Sequence, residues 1–398
     1  MSDADLAALF RRHVCQTSAT PMGLVVARAA GATIWDADGV AWLDLLAGMG
    51  VANVGHAHPA VVAAVQAQAA RYLHVMVYGE LVQAPQVRLA ARLAALLPAP
   101  LDTVYFTSTG AEAIEGALKT ARKHTGRTKL VAFDGAFHGD TFGALSIGGN
   151  PLYRRPFEPL LPGVTLLPFD DEPALAAIDR DTAAVVVEPI QAEGGVRVPH
   201  DDFLAALRRR CDATGALLVL DEVVTGLGRT GRRFAFEHAG VVPDLLVLAK
   251  ALGGGLPLGA FVGAADVLRT LSHDPPLAHV TTFGGHPLSC AAGLAALEVL
   301  ERDGLAARAT RLGVRLRDAL GALVGRGGLR AVRGRGLLVG LAFDDAAACA
   351  RFAAAAHRER LILNWTLHAD TVVRLAPPLV LSDAELDEAV GRIGRALG

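Results

Sequence analysis

After Pro98 the chain alternates short apolar runs with longer stretches in which apolar residues recur every three or four positions. Seven such runs follow one another: TVYFTS, KLVAFD, GVTLL, AAVVVEP, ALLVLD, LLVLAK and GAFVG. Each is rich in Val, Leu or aromatic residues, which is the pattern of a strand buried on both faces. With helical stretches between many of them, they predict an α/β fold whose mostly parallel sheet is covered on both sides by helices. Ahead of this region, residues 1–46 read as a helical start and a small β unit, since ATIWDADGVAWLDLL carries two short apolar runs around the turn-forming DADG. Ala60 to Leu97 reads as Ala-rich helix interrupted by LHVMVYGE. From Pro287 one long Ala/Leu/Arg helical pattern extends to about Val324. A strand at LLVGLAF, more helix, a strand at VVRLAPP and a final amphipathic helix follow. The expected organisation is an N-terminal segment (1–46) packing with a small α+β domain (287–398), and a large domain (47–286) that carries the chemistry.

Composition narrows the class without changing this picture. A chain of 398 residues is long enough for two or three lobes. With 52% hydrophobic residues and a net charge of −2, it has the balance of a soluble globular protein and no basic excess for nucleic acid. The four cysteines (Cys15, Cys211, Cys290, Cys349) have no CxxC spacing, so neither a metal site nor a disulfide framework is expected. The start, MSDADLAALFRRH, lacks a signal-type apolar core, and no uncharged apolar run is long enough to span a bilayer. A cytoplasmic protein is expected.

In an open parallel sheet ligands sit beyond the carboxyl ends of the strands, so the residues after each run are the candidates for chemistry. After TVYFTS, Gly110 and Ala111 open a helix that Ser108 or Thr109 can cap. Small residues let backbone amides approach an anion there, and the helix dipole favours a phosphate, although a capped helix with no ligand would look the same. After KLVAFD, Phe137 and His138 stand among glycines, suited to stacking on a flat ring or to filling a core. AAVVVEP leads to Glu188 and Glu193, which are site acids or plain loop acids. ALLVLD ends in Asp221, whose burial is costly unless it meets a cation such as a protonated pyridine nitrogen. LLVLA leads to Lys250, one of only four lysines in the chain. It is the only one of them set between an apolar run and a glycine triplet, Gly253 to Gly255. Apolar surroundings disfavour the ammonium form and leave a nucleophilic amine, unless the side chain snorkels to the surface. A phosphate cradle, a ring platform, an acid for a ring nitrogen and a Schiff-base lysine together make up a pyridoxal phosphate site.

Eight stretches in order carry a resemblance: WDADGVAWLDLLAGMGVANVGHAHP, FTSTGAEAIEGALKTARKHTG, FHGDTFGAL, VVEPIQAEGGV, LDEVVTGLGRTGR, PDLLVLAKALGGGLPLGA, TTFGGHPLSCAAGLAALEVL and VRLAPPL. The chain resembles the class III aminotransferases of the fold-type I pyridoxal phosphate (PLP) enzymes, the group of ornithine, acetylornithine and 4-aminobutyrate aminotransferases. The resemblance implies that Lys250 forms the Schiff base and that Asp221 pairs with the pyridine nitrogen. It implies that Phe137 and Val223 pack the two ring faces, and that Gly110 and Ala111 give amides to the phosphate. It makes Thr282 a phosphate contact from the neighbouring subunit, hence a homodimer with shared sites. Arg374 matches the arginine that forks a substrate carboxylate, and Glu193 the glutamate that covers this arginine and releases it. The implied reaction is a ping-pong transamination between an amine, basic or ω-amino acid donor and a 2-oxo acid, 2-oxoglutarate first.

The chain departs from the family pattern at three points. The family's FHGRT is FHGDT, which puts Asp140 in place of a carboxylate-binding arginine and favours a donor with a neutral or cationic end. Alternatively Asp140 merely caps the next helix with Thr141. HGDT also occurs in diaminopelargonic acid synthase, so that activity stays open. A common glutamine after DEV is Val224, which removes one hydrogen bond to the ring hydroxyl. The tyrosine expected near Ser18 to Thr20 is missing, which leaves Tyr78 as the candidate to line the channel mouth. A PLP decarboxylase, aminomutase or epimerase shares these motifs; the Glu193 and Arg374 pair favours transamination. GLGRTG (Gly226 to Gly231) matches the dinucleotide-binding GxGxxG of an NAD-dependent oxidoreductase. It lies too far from its strand, however, and no convincing helix follows it.

Overall fold

The computed structural model describes residues 3–398. All seven apolar runs form one sheet: β1 (Thr103–Thr107), β2 (Lys129–Phe133), β3 (Val164–Leu167), β4 (Thr182–Val187), β5 (Leu217–Asp221), β6 (Leu245–Leu248) and β7 (Gly259–Gly263). Their spatial order is β1-β7-β6-β5-β4-β2-β3. The pairs from β3 across to β6 are parallel, and β7 alone runs against both of its neighbours. Every residue of β4, β6 and β7 is buried, which explains why these strands read as unbroken apolar runs instead of alternating ones. Because β2, β4, β5 and β6 point the same way, Phe137, Glu188, Asp221 and Lys250 emerge at one edge of the sheet.

Helix α1 (Gly110–Thr125) follows β1 after a turn of two residues. The Thr109 hydroxyl accepts from the Glu112 amide at 3.2 Å and caps it, and Gly126 in the left-handed region (φ 68°) ends it. Halfway along, Gly116 packs against the Phe261 ring of β7; a Cβ there would stand 2.2 Å from Phe261 Cε1. This contact seats the helix close to the sheet.

The remaining strands form two smaller sheets. Val26–Ala30, Thr33–Asp36 and Ala41–Asp44 make an antiparallel meander, and Leu361–Ile362 adds to it parallel to Leu43 and Asp44. The N-terminal meander is thereby hydrogen-bonded to the C-terminal part of the chain. The third sheet has the order Leu329–Arg335, Leu338–Phe343, Ala369–Leu375, Asn364–Thr366. Its first and last strands were not expected.

The single long helix expected from Pro287 is two helices, α2 (Pro287–Arg302) and α3 (Leu305–Gly321). The apolar periodicity continues across the break, but Gly304 adopts φ 58° and redirects the chain. Among the described residues no helix is long and apolar enough to cross a membrane.

Candidate active site

The carboxyl ends of β2, β4, β5 and β6, the start of α1 and the loop after Lys250 enclose a cavity of about 410 Å³. Eleven of the twelve expected cofactor contacts line it: Ser108 to Ala111, Phe137, His138, Glu188, Asp221, Val223, Val224 and Lys250. So does Glu193.

Lys250 sits at φ 49°, a conformation that side-chain-bearing residues rarely adopt and that only the surrounding packing can hold. Its side chain is half-buried, and the burial of the amine lowers its pKa. The positive charge of Arg374 lowers it further, against the opposing pull of Glu193, Asp221 and Glu188. The outcome is an amine biased toward its neutral, nucleophilic form.

Asp221 is 4% exposed. One carboxylate oxygen accepts from the Val223 amide (3.0 Å), and the other from His138 Nδ1 (2.7 Å). His138, expected as part of a stacking platform, instead turns its ring edge to this acid. Burial disfavours the charged imidazole, but the Asp221 hydrogen bond and charge, helped by Glu188, outweigh burial and raise its pKa. The second ring nitrogen, Nε2, is buried without a partner among the described residues. Glu188 is buried as well, and burial pushes its carboxyl up to about 7. Its oxygens accept from the Phe137 amide (3.1 Å) and the Ala192 amide (3.0 Å), tying the Phe137 loop to the end of β4.

In the same cavity, Gly110 and Ala111 stand in the first turn of α1, where backbone amides have no intrahelical acceptor. A Cβ on Gly110 would stand 3.1 Å from Val223 Cγ2 and 3.3 Å from Ala249 Cβ. Glycine therefore keeps the helix start near the loops that follow β5 and β6.

Glu193 (6% exposed) and Arg374 (2%) form a buried ion pair through Oε1 and Nη1. Glu193 Oε2 also accepts from the Leu367 amide at 2.8 Å. Burial pushes the Glu193 carboxyl up, but Arg374 and the Leu367 amide outweigh that and hold it below its ordinary value. Arg374 Nη2 lies 3.4 Å from Met49 Sδ, in a run of four left-handed residues from Ala47 to Gly50. Met49 was not expected at the site. Neither were Val51, Gly139, Ala249 or the Gly255 to Leu258 loop that line the cavity. Their only sequence signal is the glycines around them.

Arg374 does not itself line the cavity and borders it through Glu193; three further expected residues lie elsewhere. Thr282 is exposed and outside this chain's own cavity, and Tyr78 is 38% exposed and does not line it. Asp140 is also exposed, next to the lining residue Gly139. It does not cap the short helix Phe142–Ser146, and neither does Thr141. Glu115 of α1 does so, accepting from the Gly143 (2.8 Å) and Ala144 (3.3 Å) amides. The GLGRTG loop has a structural role, because the guanidinium of fully buried Arg229 donates to the Leu337 carbonyl (3.0 Å) and to Asn53 Oδ1 (2.6 Å). Only a 3-10 turn, Ala235–His238, follows it, so no helix N-terminus faces a dinucleotide.

The family model of class III aminotransferases matches residues 14–397. The chain belongs to this family. It is 43% identical to the acetylornithine aminotransferase of Methanopyrus kandleri over 388 residues, 97% of this chain and 96% of that one. Ornithine aminotransferase of Toxoplasma gondii superposes with a TM-score of 0.92 at 35% identity, covering 100% of this chain and 94% of the other. An (S)-enantioselective ω-transaminase from Thermomicrobium roseum gives a TM-score of 0.92 at 33% identity, covering 100% and 98%. The chain is thus a PLP-dependent aminotransferase with the fold of these transaminases. The residues present fit the cofactor: a neutral-biased amine, a paired acid for a cationic ring nitrogen, and a glycine-walled helix start for a phosphate share one cavity.

Proposed function

We propose that the chain transfers the ω-amino group of an ornithine-type donor, or of a related amine, to a 2-oxo acid, with 2-oxoglutarate as the usual acceptor. The observation that carries this reading is the buried Glu193–Arg374 pair beside the Lys250 cavity. An arginine covered by a displaceable acid suits two substrates that take turns, one with a carboxylate at that point and one without. The likeness to acetylornithine and ornithine aminotransferases supports a donor of this class.

In this reading Asp221 holds the ring nitrogen of the cofactor, and His138 keeps Asp221 oriented. Gly110, Ala111, Ser108 and Thr109 receive the phosphate. Phe137 and Val223 flank the ring, with Val224 beside it and Glu188 bracing the Phe137 loop. Bound there, PLP supplies a carbonyl that exchanges between amines and a ring that accepts electrons released at the neighbouring carbon. Lys250 Nζ would hold the cofactor until a donor amine takes its place, and the freed amine would then be the base that moves the proton of the substrate carbon bearing nitrogen. Glu193 covers Arg374 while the donor reacts and swings away when the acceptor's second carboxylate arrives. Asp140 stands at the exposed rim, where water weakens its repulsion of a donor carboxylate to a factor on the order of five. Thr282 completes the phosphate site of a partner subunit in a homodimer. Residues 47–286 act as the large domain, and residues 1–46 pack with the small domain of 287–398. A cytosolic setting agrees with the four unpaired cysteines.

Single-turnover conversion of the bound cofactor, followed by its absorbance change, ranks the donors ornithine, acetylornithine, 4-aminobutyrate and putrescine. An ornithine-type donor is expected to lead, with 2-oxoglutarate restoring the starting spectrum. Failure of 2-oxoglutarate to do so, while a monocarboxylic 2-oxo acid succeeds, would overturn the reading.

A further inference from the structure

The hold of Glu193 on Arg374 depends on a turn that neither residue belongs to. Arg374 lies on the strand Ala369–Leu375, which pairs with Asn364–Thr366 to form a hairpin, and Leu367 and His368 form its tip. Thr366 Oγ1 donates to the Ala369 carbonyl (2.7 Å) and closes the turn. The tip reaches back to the other partner of the ion pair. The Leu367 amide donates to Glu193 Oε2 (2.8 Å), and the His368 amide donates to the Glu193 carbonyl (3.0 Å). One hairpin therefore carries the arginine on its strand and clamps the covering acid with its tip.

The His368 side chain fixes that tip to the large sheet. Its ring stacks on Tyr153 (centroids 5.2 Å apart, planes at 26°) and meets the edge of Phe137 (5.7 Å, 79°). His368 Nδ1 faces the Gly135 carbonyl at 3.2 Å, in the same loop as Phe137. The Tyr153 hydroxyl donates to the Leu367 carbonyl (3.0 Å) and braces the tip from the other side. The imidazole is thus wedged between a surface tyrosine and the ring that walls the cavity.

From these contacts we infer that His368 is a positioning residue for substrate alternation: by wedging the Leu367–His368 turn, it sets how readily Glu193 uncovers Arg374. To leave Arg374, the Glu193 carboxylate has to give up the Leu367 amide as well. A rigid turn makes the covered state more favourable, and a loose one less so. The apparent affinity for a dicarboxylate is its intrinsic affinity multiplied by the fraction of molecules with Arg374 free. Loosening the turn therefore tightens dicarboxylate binding and leaves ligands that never use Arg374 unaffected. Loss of one hydrogen bond of ordinary strength corresponds to roughly a three- to tenfold change.

The inference rests on the Glu193–Arg374 alternation proposed above, and the test separates the two. Glutarate, a dicarboxylate that cannot react, is titrated calorimetrically into holoenzyme. The proteins compared are the parent, His368→Ala, Tyr153→Phe, Glu193→Gln and the His368→Ala/Glu193→Gln double variant. Glu193→Gln should bind glutarate more tightly than the parent; if it does not, the alternation itself fails. With that established, His368→Ala should tighten glutarate roughly three- to tenfold and Tyr153→Phe by a smaller factor. The double variant should bind no more tightly than Glu193→Gln alone, because His368 acts only through Glu193. In steady state, His368→Ala should lower KM for 2-oxoglutarate with kcat retained. A His368→Ala protein whose glutarate affinity is unchanged or weaker, or a double variant in which the two effects multiply, would overturn the role of His368 and leave the alternation standing.

Discussion

Asp221 shows how much of this site is decided by single side chains. A buried acid is costly to keep ionised, yet here it has a backbone amide on one oxygen and a buried imidazole on the other. That arrangement points a fixed negative charge into the cavity, where it can hold a protonated ring nitrogen and so keep the ring able to accept electrons. Asp221→Asn preserves the shape and removes the charge. The variant is expected to fold with an unchanged circular dichroism spectrum and to lose about 3 kcal/mol or more of transition-state stabilisation, which is two orders of magnitude or more in kcat/KM. Activity within about threefold of the parent would remove Asp221 from the mechanism. His138 explains why the carboxylate cannot rotate away. Its role could not be read from FHGDT, because adjacency in sequence to Phe137 suggested a shared platform. Both neighbours line the cavity, but His138 turns its ring edge to Asp221 at the end of β5.

At the scale of elements, the site depends on how closely α1 lies on the sheet. Gly116 has no space for a side chain against Phe261, and Gly110 has little against Val223 and Ala249. Gly116→Ala would ordinarily favour a helix, but here the added methyl group has to push α1 away from β7. Overpacking of this kind costs about 1–3 kcal/mol. The expected outcome is a lower melting temperature together with weaker cofactor retention, measured by dialysis of the holoenzyme, because the amides of Gly110 and Ala111 move with the helix. An unchanged or raised melting temperature would mean that Phe261 yields instead. This glycine was not legible in the sequence, where it looks like a weak point in a good helix. The seven strands were legible, since burial on both faces leaves an apolar run that no helix period explains. The reversed direction of β7 was not, because GAFVG reads the same either way. The break at Gly304 was hidden for a similar reason: α2 and α3 both present an apolar face, so periodicity runs through the turn. Thr109 was readable as a cap from its place before α1, whereas the capping of Phe142–Ser146 by Glu115 joins residues far apart in sequence and needed the fold.

At the scale of the whole molecule, the pairing of Glu193 with Arg374 across 181 positions of sequence was anticipated only through resemblance, since no local pattern relates the two. Thr282, by contrast, is exposed and does not line the cavity of its own chain. It lies beside Phe283 (54% exposed), whose ring is 4.9 Å from His74. The segment after His74 exposes Met76, Leu81 and Val82, the last of them 94% exposed. Apolar side chains gathered at this density on a monomer mark a surface that another protein covers. A second copy of the chain is the partner that would bring Thr282 to a phosphate site, and a twofold arrangement would complete both sites at once. Sedimentation of the holoenzyme should therefore give a dimer. Val82→Asp and Phe283→Asp should shift it toward monomer and release PLP in the same concentration range, because the Thr282 contact to the phosphate would leave with the partner. Thr282→Ala should weaken PLP retention without dissociating the dimer, which separates the contact from the assembly. A monomeric parent that keeps bound, active cofactor on dilution would show that each chain completes its own site.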